Sequence, residues 1–363
     1  MNHLFEPLHF SSGRTMKNRF MLAPMTNQQS HEHGGLSEEE FKWLSMRAQG
    51  GFGMTMTCAV HVQSQGKGFP KQLGLFSDDQ LEGHQRLASA ISASDSLGIV
   101  QLHHAGTRSP RHLISGQPLG PSVDLKTGAR ALTQGEVCEL RDDFIRAAQR
   151  AERAGYDGVE LHGAHAYLLC QFLSARTNQR ADEYGGSLEN RARLLMEIIN
   201  GIRQQCRPRF ILGVRLSPER FGLELAEMLN LSQSLIETGK IDFLDISLWD
   251  TFKLAEDPLY QDRRLLEYFT RLPRRDVKLT VAGKLYHPES LRRCLDLGVD
   301  FVSLGRAGII HHDYPNRLAQ DENFVPKELP VTESYLAQEG LSEMFIEYMK
   351  RWPNFVLSND DEG

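Results

Sequence analysis

Short apolar runs alternate with longer amphipathic segments through most of this sequence, and this alternation constrains the fold more than any other feature. Eight runs have the character of buried strands, and each is followed by a helix or helix-like segment. Eight such units in 363 residues favour an α/β fold of the closed (β/α)8 TIM-barrel type over an open doubly wound sheet. No Gly-x-Gly-x-x-Gly follows any run, so the dinucleotide-binding open sheet lacks its signature. The predicted strands are 19–23, 52–60, 99–104, 156–161, 210–216, 241–246, 277–281 and 301–304.

The amphipathic segments predict the helices, and capping residues mark where some of them begin. Ser37 followed by Glu40 is a capping-box pattern, and Ser77 is a second expected N-cap. The segment 105–133 is rich in Gly, Pro, Ser and Arg and predicts a long loop, because the alternation resumes in phase after it. The predicted helices are 37–49, 77–97, 134–154, 190–205, 223–238, 262–271 and 288–297.

Composition predicts a globular protein and narrows its partners. With 40% hydrophobic and 24% charged residues, the chain can bury a large core. We expect one domain over residues 1–363, with the barrel to about residue 320 and an extension over about 321–363. The extension is expected to pack outside the barrel or against a second subunit of a homo-oligomer. The net charge of −6 comes without a basic stripe, so nucleic acid is not an expected partner.

Cysteine usage and hydropathy predict a cytoplasmic protein without membrane association. The five cysteines are scattered without a Cys-x-x-Cys pair, which argues against zinc-ribbon and iron–sulfur sites and fits a reduced compartment. The N-terminal residues show no signal-peptide pattern, and the sequence has no run of about 18 apolar residues.

Polar residues and glycines collect at the C-terminal ends of the predicted strands, the edge at which barrels place their active sites. The first strand ends in Pro24-Met-Thr26, the third carries Gln101 and the fifth holds Arg215. Gly283 follows the seventh strand, and Gly305-Arg306 follows the eighth. Glycine N–H groups in the last two loops, joined by a cation, bind phosphate in many such barrels, so a phosphorylated ligand is expected.

The fourth predicted strand ends in His162, followed by His165 and Tyr167. A lone histidine at a strand end is more often structural, but two beside a tyrosine favour a functional site. In the fifth strand, Arg215 needs an anionic or hydrogen-bonding partner, because a buried unpaired guanidinium is very costly. That partner is either Glu160 on the neighbouring strand, as an ion pair, or a ligand, and the sequence leaves both open.

Several linked motifs together make the chain resemble the Old Yellow Enzyme family of FMN-dependent ene reductases. The resemblance extends from Leu4 to about Pro315. The motifs are Lys17-Asn-Arg-Phe-Met-Leu-Ala-Pro-Met-Thr26, Gln101-Leu-His-His-Ala-Gly106, Glu160-Leu-His-Gly-Ala-His-Ala-Tyr167, Asn178-Gln-Arg-Ala-Asp-Glu-Tyr-Gly-Gly-Ser187 with Glu189-Asn-Arg191, and Leu304-Gly-Arg306. The segment around Asp182-Glu-Tyr-Gly-Gly-Ser is very characteristic of the family, although it can equally serve as a structural turn and capping network.

The resemblance implies an FMN site with a role for each strand end. Pro24, Met25 and Thr26 would lie along the flavin ring, with the Thr26 hydroxyl near the flavin O4 and Ala59 near the same edge. Gln101 would bind the pyrimidine part, and Arg215 would place positive charge near N1 and O2. The phosphate-binding residues would be Gly283, Gly305 and Arg306.

The resemblance also implies a reaction, with NADH or NADPH as reductant and a small activated alkene as the second substrate. His162 and His165 would hydrogen-bond the carbonyl or nitro oxygen and stabilise the enolate charge. Hydride would pass from flavin N5 to the β carbon, and Tyr167 would protonate the α carbon as general acid. The two substrates would use the site in turn, in a ping-pong sequence.

This sequence departs from one bacterial branch of the family, which has a cysteine in place of Thr26 and a tyrosine in place of Gln28. Two alternatives to the ene-reductase interpretation stay open. The first is a metal-dependent barrel hydrolase or lyase that uses His103, His104 and the histidines after the fourth strand as ligands. That reading leaves the strand-end glutamine and arginine without a role, and the prediction is therefore that no metal is bound. The second is a flavin-binding protein without turnover.

Overall fold

Eight parallel strands close into a barrel in the computed structural model, which describes residues 3–357. Each barrel strand pairs with the next along the chain, and the eighth pairs with the first. The TIM-barrel prediction is therefore confirmed. The strands are β1 (Phe20–Leu22), β2 (Met54–His61), β3 (Leu97–His103), β4 (Gly158–Gly163), β5 (Ile211–Leu216), β6 (Phe243–Ser247), β7 (Lys278–Ala282) and β8 (Phe301–Leu304).

Helices follow the strands and cover the outside of the barrel. Those of the described chain are α1 (Glu38–Gln49), α2 (Leu81–Ser92), α3 (Gln134–Ala154), α4 (Leu168–Leu173), α5 (Leu188–Gln205), α6 (Leu225–Glu237), α7 (Leu265–Thr270), α8 (Pro288–Asp296), α9 (Arg306–Ile310), α10 (Tyr314–Gln320), α11 (Glu333–Gln338) and α12 (Glu343–Met349). In residues 3–357, none of these helices combines the length and the apolar character that a membrane crossing requires.

The helix predictions needed two corrections. The segment predicted as one helix over 77–97 begins with a 3-10 turn, Asp78–Gln80, and its helix ends at Ser92, because Leu97 already belongs to β3. The helix predicted over 262–271 is restricted to α7. The short helix α4, which directly follows Tyr167, was not predicted, because six residues are too few to show a helical period.

The N-terminal end of the barrel is closed by an apolar plug. A short hairpin, Leu8–His9 paired with Thr15–Met16, carries Phe10 into the barrel bottom. The Phe10 ring lies 6.3 Å from that of Phe243 and 6.0 Å from that of Phe301. Because this end is filled by side chains, the opposite end, at which the strands terminate, is the one available for a site.

The segment between α4 and α5 is a hydrogen-bonded turn and cap. Asn178 donates to the carbonyls of Phe172 and Tyr184 at 2.8 and 2.7 Å. A Cβ atom on Gly185 would lie 2.1 Å from the Arg180 carbonyl oxygen, so only glycine fits there. The sequence reading of this motif as a structural turn is therefore correct.

Residues after α10 form an extension that packs against the outside of the barrel. Phe345 of α12 is fully buried, with its ring 5.4 Å from that of Trp43 in α1. The Ser342 amide donates to the Gln29 side chain at 3.0 Å, which joins the extension to the loop after β1. Residues 358–363 of the predicted extension lie outside the described part of the chain.

Candidate active site

The loop after β1 is held from two sides. The Ala23 amide donates to Leu304 O at 3.0 Å, so the loop starts beside the end of β8. Farther along, Asn27 donates to Glu40 Oε1 at 2.9 Å. Glu40 is fully buried, and burial raises its pKa. The predicted capping box is thus only half formed: Ser37 caps the Glu40 amide, but the Glu40 carboxyl turns to the loop that carries Thr26.

Residues 24–26 are half-buried and lie at the C-terminal mouth of the barrel. A Cβ atom on Gly305 would touch the Met25 sulfur at 3.6 Å, so the loops after β1 and β8 meet there. Tyr348 of α12 lies near the same edge: burial and then the nearby Tyr167 raise the pKa of Tyr348, and Thr26 opposes the rise. Pro24, Met25 and Thr26 therefore share one rim of the mouth with the C-terminal extension.

Gln101 and Ala59 face each other across β2 and β3. They are register partners, just after an irregularity in β2 between Met56 and Ala59. Gln101 is buried and its Nε2 donates to Glu160 Oε1 at 2.7 Å. The amide of Gln101 is thus oriented by a carboxyl group on the next strand.

The ion-pair partner of Arg215 is Asp245, so the alternative of an ion pair with Glu160, one of the two that the sequence left open, is wrong. Arg215 and Asp245 are register partners on β5 and β6, and Arg215 Nε lies 3.2 Å from Asp245 Oδ2. Burial raises the pKa of Asp245, although Arg215 opposes the rise. Burial, followed by the charge of Asp245, raises the pKa of Glu160 well above its usual range. One guanidinium therefore faces two buried carboxyl groups, and Glu160 is the one that we assign as protonated.

His162 and His165 form a hydrogen-bonded pair, and a backbone contact shows which ring donates. The Ala164 amide donates to His162 Nδ1 at 3.4 Å, which leaves the proton of neutral His162 on Nε2. Nε2 is 3.2 Å from His165 Nδ1, and His165 Nε2 is 2.7 Å from the Ser247 hydroxyl. Both rings therefore carry their proton on Nε2. Ser247, at the end of β6, was not predicted.

Both histidines are neutral at physiological pH. Burial and then the charge of His165 lower the pKa of His162 well below its usual range, and burial and then Arg215 do the same for His165. Neutral imidazoles retain one N–H each and can donate hydrogen bonds without adding positive charge. The pair is suited to polarising an oxygen atom placed at the barrel mouth.

Tyr167 lies next to both a histidine and an arginine. Its ring centroid is 4.4 Å from that of His103 and 5.0 Å from that of His162, both edge-on. Arg108 covers the ring, with Cζ 4.6 Å from the centroid. The backbone that delivers Tyr167 is strained, since His165 and Ala166 have φ of 61° and 57°.

The predicted phosphate-binding residues lie at the ends of β7 and β8. A Cβ atom on Gly283 would lie 3.0 Å from the Asp250 amide nitrogen, so backbone crowds this position. Gly305 caps α9, and Arg306 is its exposed first residue. Within residues 3–357, no carboxylate lies within ion-pair distance of Arg306, whereas Lys284 pairs with Asp250 at 3.1 Å.

These residues fit a flavin mononucleotide. Arg215 Nε and Glu160 Oε2 are buried and have no hydrogen-bond partner within the described structure, although they lie below the mouth where polar flavin edges would need partners. An exposed guanidinium beside a glycine at a helix start suits a phosphate.

The four histidines of the metal alternative do not converge. His104 Nδ1 accepts from the Gly106 amide at 3.0 Å, and His103 Nδ1 contacts the Gln72 amide at 3.2 Å. Among residues 3–357, the one group that brings three potential ligand atoms close together is His312, Asp313 and Glu339. That group is on the far end of the chain from the strand-end histidines and includes carboxylates that pair with Arg317.

Residues 3–323 match the model of the NADH:flavin oxidoreductase / NADH oxidase family. The chain belongs to this family. The resemblance to Old Yellow Enzyme is thereby confirmed, and with it an FMN cofactor and an NAD(P)H-dependent oxidoreductase activity. The alternative of a flavin-binding protein without turnover is therefore wrong, since members of the family are enzymes.

This NAD(P)H-dependent flavin oxidoreductase is similar in sequence or structure to several known proteins. The probable NADH-dependent flavin oxidoreductase YqiG of Bacillus subtilis is 36% identical over 314 residues, 84% of each chain. An Old Yellow Enzyme homologue from Zymomonas mobilis superposes with a TM-score of 0.79 at 27% identity, covering 94% of this chain and 99% of that one. Morphinone reductase gives 0.78 at 26% identity, covering 99% of both.

Some relatives are much longer than this chain. The NADH:fumarate oxidoreductase of Klebsiella pneumoniae is 32% identical over 335 residues, which is 88% of this chain but 36% of the relative. This chain therefore corresponds to only part of that relative.

Proposed function

We propose that this flavin oxidoreductase reduces activated C=C bonds of α,β-unsaturated carbonyl or nitro compounds. The observation that carries the proposal is the group of His162, His165 and Tyr167 at the barrel mouth. Two neutral imidazoles with protons on Nε2 lie beside a phenol, with ring centroids of His162 and Tyr167 5.0 Å apart. Two donors for one oxygen and a separate proton donor are the groups that alkene reduction requires.

The cofactor residues follow the same proposal. Pro24, Met25, Thr26 and Ala59 would contact the flavin ring, Gln101 would bind its pyrimidine edge, and Arg215 would lie near N1 and O2. The phosphate would be held by Gly283, Gly305 and Arg306. Two observations support these assignments. Arg215 Nε makes no hydrogen bond within the described chain, although Asp245 Oδ2 lies 3.2 Å away, and the exposed guanidinium of Arg306 has no carboxylate within ion-pair distance among those residues.

FMN, when bound by these residues, would supply the hydride-transfer chemistry, with NADH or NADPH as the reductant and the activated alkene as the acceptor. The chain's own contribution begins with His162 and His165. Their Nε2–H groups face His165 Nδ1 and the Ser247 hydroxyl in this structure, and on substrate binding they would exchange these partners for the carbonyl or nitro oxygen and stabilise the negative charge that develops there. Tyr167 then donates its phenolic proton to the α carbon. Because one site serves both partners in turn, the kinetics would be ping-pong.

An anaerobic absorption experiment tests the proposal. The purified protein should be yellow, its flavin band should bleach with NADH or NADPH, and 2-cyclohexenone should restore the band with formation of cyclohexanone. A band that bleaches but does not recover with the enone, or with a nitroalkene such as β-nitrostyrene, would contradict the proposed substrate class and leave the family assignment intact.

We further propose that the barrel and the extension act as a single FMN-binding domain. Contacts of Ser342 with Gln29 and of Phe345 with Trp43 support this, because they connect the extension to the loop that carries Thr26.

A further inference from the structure

Arg108 lies at the edge of the candidate active site on the loop after β3. It ends the 3-10 turn Gly106–Arg108 and is exposed. Its Nη1 donates to His165 O at 2.6 Å, and its guanidinium covers the ring of Tyr167 with Cζ 4.6 Å from the centroid. These two contacts fix the charge beside the residue to which we assign proton donation, while the side chain stays exposed.

Arg108 has no acidic partner in the described chain. Among residues 3–357, no carboxylate oxygen lies within 4.0 Å of its nitrogens, whereas Arg215 and Arg220 each have one, at 3.2 and 2.5 Å. Arg220 offers a direct comparison, because it also lies over an aromatic ring, with Cζ 5.6 Å from Trp249, but it is paired with Glu256. An arginine held in place without a carboxylate is suited to receive one from a ligand.

The surroundings of Arg108 do not oppose an anion. The two site histidines are neutral because burial first, and positive charges including Arg108 after it, lower the pKa of His162 and of His165. Neither of the two carboxyl groups below them leaves an uncompensated negative charge, because Asp245 pairs with Arg215 and Glu160 keeps its proton. The net charge at the mouth is therefore positive on the side of Tyr167.

We propose that Arg108 is a specificity-determining residue that binds a carboxylate group of the alkene substrate. The preferred substrates would be activated alkenes that carry a carboxylate in addition to the activating carbonyl group. This inference rests on the proposed function, since it assigns a substrate class to the same site. The guanidinium would form charge-assisted hydrogen bonds with the carboxylate, and the covered Tyr167 ring would keep that group next to the protonated carbon.

Dimethyl fumarate and monomethyl fumarate form a matched pair of probes, because they differ by one methyl group and one negative charge. We would measure kcat/KM for both with the FMN-loaded wild type, Arg108→Gln and the control Arg220→Gln. The ratio of monoester to diester should fall roughly 10- to 100-fold in Arg108→Gln, the size of a lost charge-assisted interaction. It should stay within about twofold in Arg220→Gln. Intrinsic reactivity of the two esters cancels in this comparison.

A second measurement needs no variant. Raising NaCl from about 20 mM to about 500 mM should lower wild-type kcat/KM for the monoester several-fold and leave the diester nearly unchanged, because salt screens the attraction between charges. Equal loss for both esters in Arg108→Gln, together with no difference in salt dependence, would overturn the inference and leave Arg108 as a support for the His165 backbone.

Three further outcomes distinguish this inference from a cofactor-binding role of Arg108 and from failure of the proposed function. If Arg108→Gln weakens reduction of the flavin by NADPH but not by NADH, the bound anion is the cofactor's 2′-phosphate, and the substrate assignment is wrong. If the wild type bleaches with NAD(P)H but reduces neither ester nor 2-cyclohexenone, the proposed function itself is wrong. If the wild type reduces 2-cyclohexenone and the diester, but Arg108→Gln leaves the ratio of kcat/KM for monoester and diester unchanged, the inference is wrong and the proposed function stands.

Discussion

Asp245 lies directly opposite Arg215 on the neighbouring strand, with 3.2 Å between Oδ2 and Nε, and Glu160 approaches the same pair from the other side. A single guanidinium cannot compensate two buried carboxylates, so one of them keeps its proton. The ion-pair distance assigns the charge to Asp245. Glu160, which accepts from Gln101, keeps the proton. This asymmetry makes the two carboxyl groups respond differently to the same amide substitution.

Replacing Asp245 by Asn should lower the free energy of unfolding by about 3–5 kcal/mol, because it leaves the buried charge of Arg215 beside only Glu160, whose carboxyl group is protonated. Replacing Glu160 by Gln should cost less than about 1 kcal/mol, since an amide can still accept from Gln101 and carries no charge to lose. Urea unfolding of the two FMN-loaded variants measures the difference. Equal costs would contradict the assignment of charge to Asp245.

The same pair predicts a pH dependence of stability. The pKa of Glu160 is higher in the folded protein than its usual value of 4.5. The contribution of the protonated Glu160 side chain to the free energy of unfolding is therefore complete below pH 4.5. It decreases as the pH rises toward the pKa in the folded protein, by up to about 1.4 kcal/mol per pH unit. Glu160→Gln removes this loss, so the stability of the variant relative to that of the wild type should rise as the pH is raised from about 5 to about 8. Parallel stability curves over this range would show that Glu160 is not the protonated partner.

Tyr167→Phe should separate the two half-reactions. Loss of the proton donor should slow reoxidation of the reduced flavin by 2-cyclohexenone about 100-fold or more, while reduction by NAD(P)H should change less than about twofold. Stopped-flow absorbance at the flavin band measures both rates. Equal slowing of both steps would mean that Tyr167 shapes the site and does not donate the proton.

Arg306→Gln should weaken FMN binding through its phosphate. Removing one charge-assisted contact should raise the dissociation constant for FMN roughly 10-fold or more. The affinity for riboflavin, which lacks the phosphate, should be unchanged. Fluorescence titration of the deflavinated protein measures both constants. A similar loss for the two flavins would place Arg306 outside the phosphate site.

Phe345→Ala should destabilise the whole protein if the extension and the barrel form one domain. The fully buried ring packs on Trp43, and its removal should cost about 3–5 kcal/mol. The neighbouring Met344 is 40% exposed and serves as control, with an expected cost of less than about 0.5 kcal/mol on replacement by Ala. Flavin release and loss of helical circular dichroism should coincide on heating. Two separate transitions would indicate two domains.

Local patterns in the sequence were sufficient for the fold, because a barrel strand that is buried on both sides is a mainly apolar run. The run from Phe210 to Leu216 is an example, and it appears as β5 with nearly the same bounds. The end of such a run also marks the C-terminal mouth, so His162, Gln101 and Arg306 were predicted as site residues from their positions alone. The least reliable boundaries were those of short helices such as α7, where six residues contain too little periodicity.

The tertiary structure decided which of these residues meet. The sequence required a partner for Arg215, but Glu160 and Asp245 lie on the strands at either side of β5, and strand register chooses between them. Arg108 belongs to a loop without a recognisable pattern, and its position over Tyr167 follows from how that loop folds back onto the loop after β4. The local sequence thus determined which strands form and where they end. Register and loop packing, which depend on residues far apart in the chain, determined which side chains act together.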